Sequence, residues 1–130
     1  MTFDAIGIAG TGLNVHRHWL DALSDNITNV NTPTAPGEEP FRERLVTVAA
    51  GTEDPGVYVT GVVESEVETK LVYEPNHPYA DEEGYVEYPN VELSDQMSML
   101  ILAQRGYQAS AAIVDRAKTT YEAALQIGRS

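Results

Sequence analysis

His77, Asp81, Glu82 and Glu83 form the one grouping in this chain whose residue types could hold a metal ion or pass protons. Imidazole and carboxylate are the groups that such chemistry needs. Their spacing follows no ligand pattern, and Pro75 and Pro78 on either side of His77 make the segment a turn, so it reads as a solvated acidic loop. Ser24, Ser65, Ser94, Ser98 and Ser110 lack a GxSxG elbow, and the three histidines suggest no triad. Gly7, Gly10 and Gly12 imitate the start of a phosphate loop, but no strand precedes them and no Lys follows. Trp19, Tyr107 and Tyr121 fall in helical stretches and read as packing or interface anchors rather than base-stacking platforms. The absence of cysteine excludes a disulfide framework, a thiol nucleophile and a Cys-ligated zinc. No catalytic, cofactor or metal site is therefore assigned. A metal-dependent enzyme using His77, Asp81 and Glu82 is the most remote reading.

Charge is distributed more tellingly than it is summed. The net charge is −12 over 130 residues. Residues 1–32 carry −2 and residues 93–130 carry +1, whereas residues 33–92 carry −11. Two nearly neutral ends can pack closely, while the middle must stay solvated or face a basic surface. Nucleic acid is a poor partner for such a chain, because neutralising phosphates needs a basic face. No apolar run approaches the ~20 residues needed to span a bilayer, so direct membrane insertion is not expected, and no signal peptide is visible.

The elements that must carry these residues are legible from periodicity. Leu100, Tyr107, Val114 and Tyr121 recur every seven residues, and Ala103, Ser110, Ala117 and Ala124 follow each by three. Large side chains alternating with small ones at this spacing make a narrow helical seam. It predicts a helix from Leu93 to Arg129, with Ser94 as N-cap and Gly128 as C-terminal stop, and Met97 and Leu125 join its apolar positions. Gly106 is expected to loosen this helix at a cost of about 1 kcal/mol. The N-terminal segment repeats the pattern: Ile6, Leu13, Leu20 and Ile27 with Ala9, His16, Leu23 and Val30. Its glycines predict firm helix only from about Thr11 to Val30, with fraying before that. His16 on the seam is expected to hydrogen-bond a neighbour. Asn26, Asn29 and Asn31, followed by Thr32-Pro33, are expected to end the helix, since Asn tolerates the left-handed conformation and bonds nearby backbone.

Between the helices the period falls to two. Arg42–Val48, Val57–Val63, Thr69–Tyr73 and Tyr85–Tyr88 read as strands, divided by Asp54-Pro55-Gly56 and by the turn residues from Glu74 to Gly84. The fold class is α+β: a coiled-coil-like pair of long terminal helices (residues 1–32 and 93–130) around a small, acidic, β-rich insert (residues 33–92), as one structural unit. Two narrow seams bury too little area to hold two long helices firmly alone. They are expected to finish packing against other subunits through Leu13, Leu20, Leu23, Ile27 and Val30 at one end of the chain. At the other end, Met97, Leu100, Tyr107, Val114, Tyr121 and Leu125 are expected to do the same.

The run Leu23-Ser24-Asp25-Asn26-Ile27-Thr28-Asn29-Val30-Asn31-Thr32 resembles the Asn-rich N-terminal signature of bacterial flagellar rod and hook proteins. The central run from Leu71 to Val86, with Tyr73, Pro75, His77, Pro78 and Gly84, is similar to the short proximal-rod members of that family. So is its continuation Pro89-Asn90-Val91 with Met97, Ala103, Arg105 and Tyr107. The likeness covers nearly the whole chain. It implies a structural subunit with no cofactor, exported by the flagellar type III apparatus without a cleaved signal peptide. Such subunits self-assemble in the periplasmic space into a hollow rod that transmits torque and encloses the export channel. The implied partners are other rod subunits and the adaptor between rod and membrane ring. The alternative from another class is a soluble acidic adaptor or export chaperone that holds a client helix in a groove.

Overall fold

The computed structural model describes residues 2–129. Met1 and Ser130, the outer limits of the expected helical segments, lie outside them. Helix α1 spans Thr2–Thr28 and helix α2 spans Leu93–Arg129. Between them lie β1 (Arg44–Ala50), β2 (Val57–Glu64), β3 (Lys70–Tyr73) and β4 (Tyr85–Tyr88). The strands form two antiparallel hairpins, β1 with β2 and β3 with β4, and the two hairpins share no ladder.

The helices run antiparallel as a hairpin. Gly12 faces Ser110, His16 faces Gly106, and Asn26 bonds Gln96. On α1 the seam residues Ile6, Ala9, Leu13, His16, Leu20, Leu23 and Ile27 are all buried or half-buried. On α2, Leu100, Ala103, Ser110, Val114, Ala117 and Tyr121 are likewise buried or half-buried. The two heptad stripes thus meet first within one chain. With 37 residues, α2 is about 55 Å long. Its last two turns, residues 122–129, are exposed throughout.

Several local expectations are corrected. Helix α1 starts at Thr2, not near Thr11, because Ala9 is buried and the pairing with α2 outweighs the glycine cost. It ends at Thr28, where Asn29 sends both its backbone N–H (3.1 Å) and its side-chain amide (2.9 Å) to Asp25 O. No non-glycine residue among those described has a positive φ, so Asn29 terminates α1 through hydrogen bonds and none of the asparagines does so through the left-handed conformation. Helix α2 begins one residue before Ser94. Glu92 holds the N-cap position, its carbonyl accepting from Gln96 N–H at 3.1 Å.

The β1–β2 hairpin lies along α1. At one end Arg44 N–H donates to Asn26 Oδ1 (2.8 Å), and at the other Val57 N–H donates to Thr11 Oγ1 (3.1 Å). Fifteen helical residues separate Thr11 from Asn26, about 22 Å. Seven strand residues of β1 cover about the same length. The ladder shifts register between Thr47 and Val48, where Thr60 is the extra residue and its hydroxyl donates to Thr47 Oγ1 at 2.7 Å. The β3–β4 hairpin sits beyond the helix ends. Lys70 pairs with Glu92 at 3.2 Å, and Thr34 N–H donates to Glu87 O at 2.9 Å.

Candidate assembly site

A buried polar junction fixes how the insert sits on the helix pair. Asn26 is completely buried and Gln96 nearly so. The Asn26 amide donates to Arg44 O and to Gln96 Oε1, both at 3.0 Å, while its Oδ1 accepts from Arg44 N–H at 2.8 Å. The Gln96 amide then donates to Glu43 Oε1 at 2.7 Å. One side chain near the end of α1 thereby joins the start of β1 to the first turn of α2. A fully satisfied network of this kind specifies one arrangement of three elements, since any other leaves buried donors or acceptors unpaired. Arg44 adds an ion pair to Asp25 at 2.5 Å, but both side chains are about half-exposed and it contributes little. In the sequence Asn26 reads as one of the residues that end the helix, and Gln96 carries no local signal of its role.

A second close fit lies midway along the helix pair. The His16 ring rests so closely on Gly106 that a Cβ added there would overlap Nε2 and Cδ2 of the imidazole. His16 Nδ1 makes a 2.7 Å hydrogen bond to Gly12 O, one turn back on its own helix, and the ring lies 6.3 Å from that of Trp19. Gly106 is therefore the recess for a knob on α1, not merely a weak point in α2. Tyr107, the next residue, is exposed.

The cluster at His77 is turn scaffolding. Tyr79 N–H donates to His77 Nδ1 at 2.9 Å, and Asp81 Oδ1 accepts from both Glu83 and Tyr85 N–H at 2.9 Å. Gly84 has φ +89°, a conformation that glycine adopts without a Cβ clash, which lets the chain turn back into β4 under the Tyr73 ring. No group of three His, Asp or Glu among the described residues is placed to hold a metal ion. No described helix is long and apolar enough to cross a membrane.

Tyr88, on β4, donates its hydroxyl to Glu74 Oε2 at 2.9 Å. That bond first, then burial and the Glu74 charge, hold the phenol above its ordinary value of 10.0. A raised folded-state pKa contributes stability that is fully present below the unfolded value and is lost as pH rises through the folded one. Denaturation curves from about pH 8 to about pH 11 should therefore show a steeper alkaline decline in the wild type than in Tyr88→Phe. Parallel curves would refute the coupling.

The outer surface of the helix pair keeps large apolar groups in solvent. Among the residues expected at subunit contacts, Met97, Tyr107 and Leu125 are exposed. Leu13, Leu20 and Ile27 are half-buried and Leu23 is fully buried, as part of the intramolecular seam, and Val30, just past the end of α1, is half-buried as well. Leu100, Val114 and Tyr121 are half-buried too. Ile101, Leu102, Ile113 and Ile127 extend the exposed apolar surface of α2 beyond the expected set. In the signature runs, Asn31, Thr32, Pro75, Pro78 and Asn90 are exposed, whereas Pro89 is buried.

Residues 82–127 match the sequence profile described as flagellar basal body rod FlgEFG protein C-terminal. The chain is 32% identical to the flagellar basal-body rod protein FlgC of Borreliella burgdorferi, across 96% of both chains. It is 35% identical to that of Salmonella typhimurium across 94% of both. The FlgC of Bacillus subtilis is 29% identical across 98% of both chains. A helix hairpin that leaves its outer face apolar, clamped to a small strand-built insert, is thus the architecture of a chain that belongs to the family of flagellar basal-body rod proteins FlgC.

Proposed function

We propose that this chain is a structural subunit of the proximal part of the flagellar rod. It would pass through the flagellar type III export apparatus without a cleaved signal peptide and assemble in the periplasmic space. Its partners would be the other rod subunits and the adaptor next to the membrane ring. The observation that carries this reading is the outer face of α2. Met97, Ile101, Leu102 and Ile113 are exposed on the side of α2 turned away from its seam with α1. An apolar surface this long marks a protein contact. Repeated without closing, such a contact builds a helical assembly, the symmetry of a rod. Torque in that assembly passes through many packed side chains rather than through one site.

Deletion of the gene, followed by electron microscopy of purified basal bodies, tests the reading. Structures should stop before a rod forms, and intact rods would refute it. Point substitutions sharpen the test. Met97→Asp and Ile101→Asp lie on the exposed face and should change stability by under about 0.5 kcal/mol while abolishing motility. Leu20→Asp and Val114→Asp should instead disrupt the helix pair itself, seen as lost helicity by circular dichroism. Normal swimming in both outer-face variants would remove α2 from the interface.

A further inference from the structure

We propose, resting on the reading as a rod subunit, that the outer face of the β3–β4 hairpin docks on a stripe of α2 in a second copy of this chain. The register of the hairpin places Leu71 opposite Glu87 and Tyr73 opposite Tyr85, so these four share one face. The other face carries Val86, which is completely buried. Leu71 is 66% exposed and Tyr73 63%. The Tyr73 and Tyr85 rings brace each other edge to face, 5.4 Å between centroids, so the patch is presented in a fixed shape.

The complementary surface is on the same chain but out of reach. Leu102, Arg105, Ala109, Ile113, Arg116 and Thr120 recur at intervals of three and four residues, one face of α2. Leu102 is 58% and Ile113 52% exposed. Two arginines flank the apolar positions of this stripe, while the segment that bears the tyrosine patch has a net charge of −11. An apolar patch that carries Glu87 within an acidic segment thus meets an apolar stripe that carries two arginines. Within one molecule the hairpin is tied to Glu92, ten residues before Leu102 and so about 15 Å away along the helix. A neighbour must therefore supply the partner surface.

The contact is heterologous, one surface against a different one, and propagates instead of closing into a pair. Its size agrees. One leucine and two tyrosines bury about 500 Å² at most, less than the ~800 Å² per partner of a stable two-body interface. It is a contact that holds when many are made together.

A photo-crosslinking residue at position 73, irradiated in cells carrying the full chain, tests this. Whole-cell extract should contain an adduct of twice the chain mass, with its junction mapping to residues 102–120. Arg105→Glu combined with Arg116→Glu should lower its yield at least tenfold without altering the circular dichroism spectrum. An adduct to another protein or to another segment, no adduct, or an unchanged yield in the double variant would overturn the docking. The rod reading is judged apart from this, by whether the deletion strain forms rods; rods that require the chain alongside a missing adduct would sink the docking alone.

Discussion

Replacing Asn26 by aspartate should cost about 3–4 kcal/mol, although it exchanges one atom for another of nearly the same size. The amide nitrogen donates to Arg44 O and Gln96 Oε1, and the substitution sets a carboxylate oxygen against both acceptors in a site with no solvent access. Only the bond from Arg44 N–H survives. Small domains are stable by about 5–15 kcal/mol in general, so this single change removes a large share. Acidification should shrink the difference between variant and wild type, because protonating the introduced carboxylate restores a donor and removes the buried charge. Guanidinium titrations followed by Trp19 fluorescence at two pH values measure both effects. A cost below about 1 kcal/mol, or one that does not change with pH, would mean that the junction does not hold the three elements together.

The second large effect reverses a general rule. Gly→Ala in the interior of a helix ordinarily stabilises by about 1 kcal/mol. At Gly106 it should destabilise by about 1–3 kcal/mol, because the new methyl overlaps the His16 ring, which must leave its seat and its bond to Gly12 O. Adding His16→Ala to Gly106→Ala should recover most of the loss, and the pair should be clearly non-additive in a double-mutant cycle. A stabilised Gly106→Ala single variant would show that the ring swings aside freely. Additive effects of the two changes would show that they do not touch.

The residues that made the strands and α2 readable share one property: their signals are local. Tyr85–Tyr88 and Leu93–Arg129 were legible to the residue because alternation and heptads lie between strong breakers, Gly84 before β4 and Pro89-Asn90 before α2. What escaped depends on distant partners. Asn26 looks like a helix terminator from its position, yet its bonds reach residues 18 and 70 positions away. Gly106 looks like a defect until His16 is seated on it. The glycines before Thr11 lower helix propensity, and only the pairing with α2 shows why α1 begins at Thr2. The seam residues themselves were legible as apolar stripes. Which of them face the sister helix and which face outward was not, since a heptad specifies a contact but not whether the partner is inside or outside the chain.

The strap formed by β1 and β2 has a mechanical meaning. It is fastened to α1 at two places, Thr11 and Asn26, about four turns apart. A plate riveted once can swivel about its rivet, whereas one riveted twice along a spindle can only turn with it. Twist applied to the helices is therefore handed to the insert without slack, and a load on the insert is shared between two fastenings instead of prying at one.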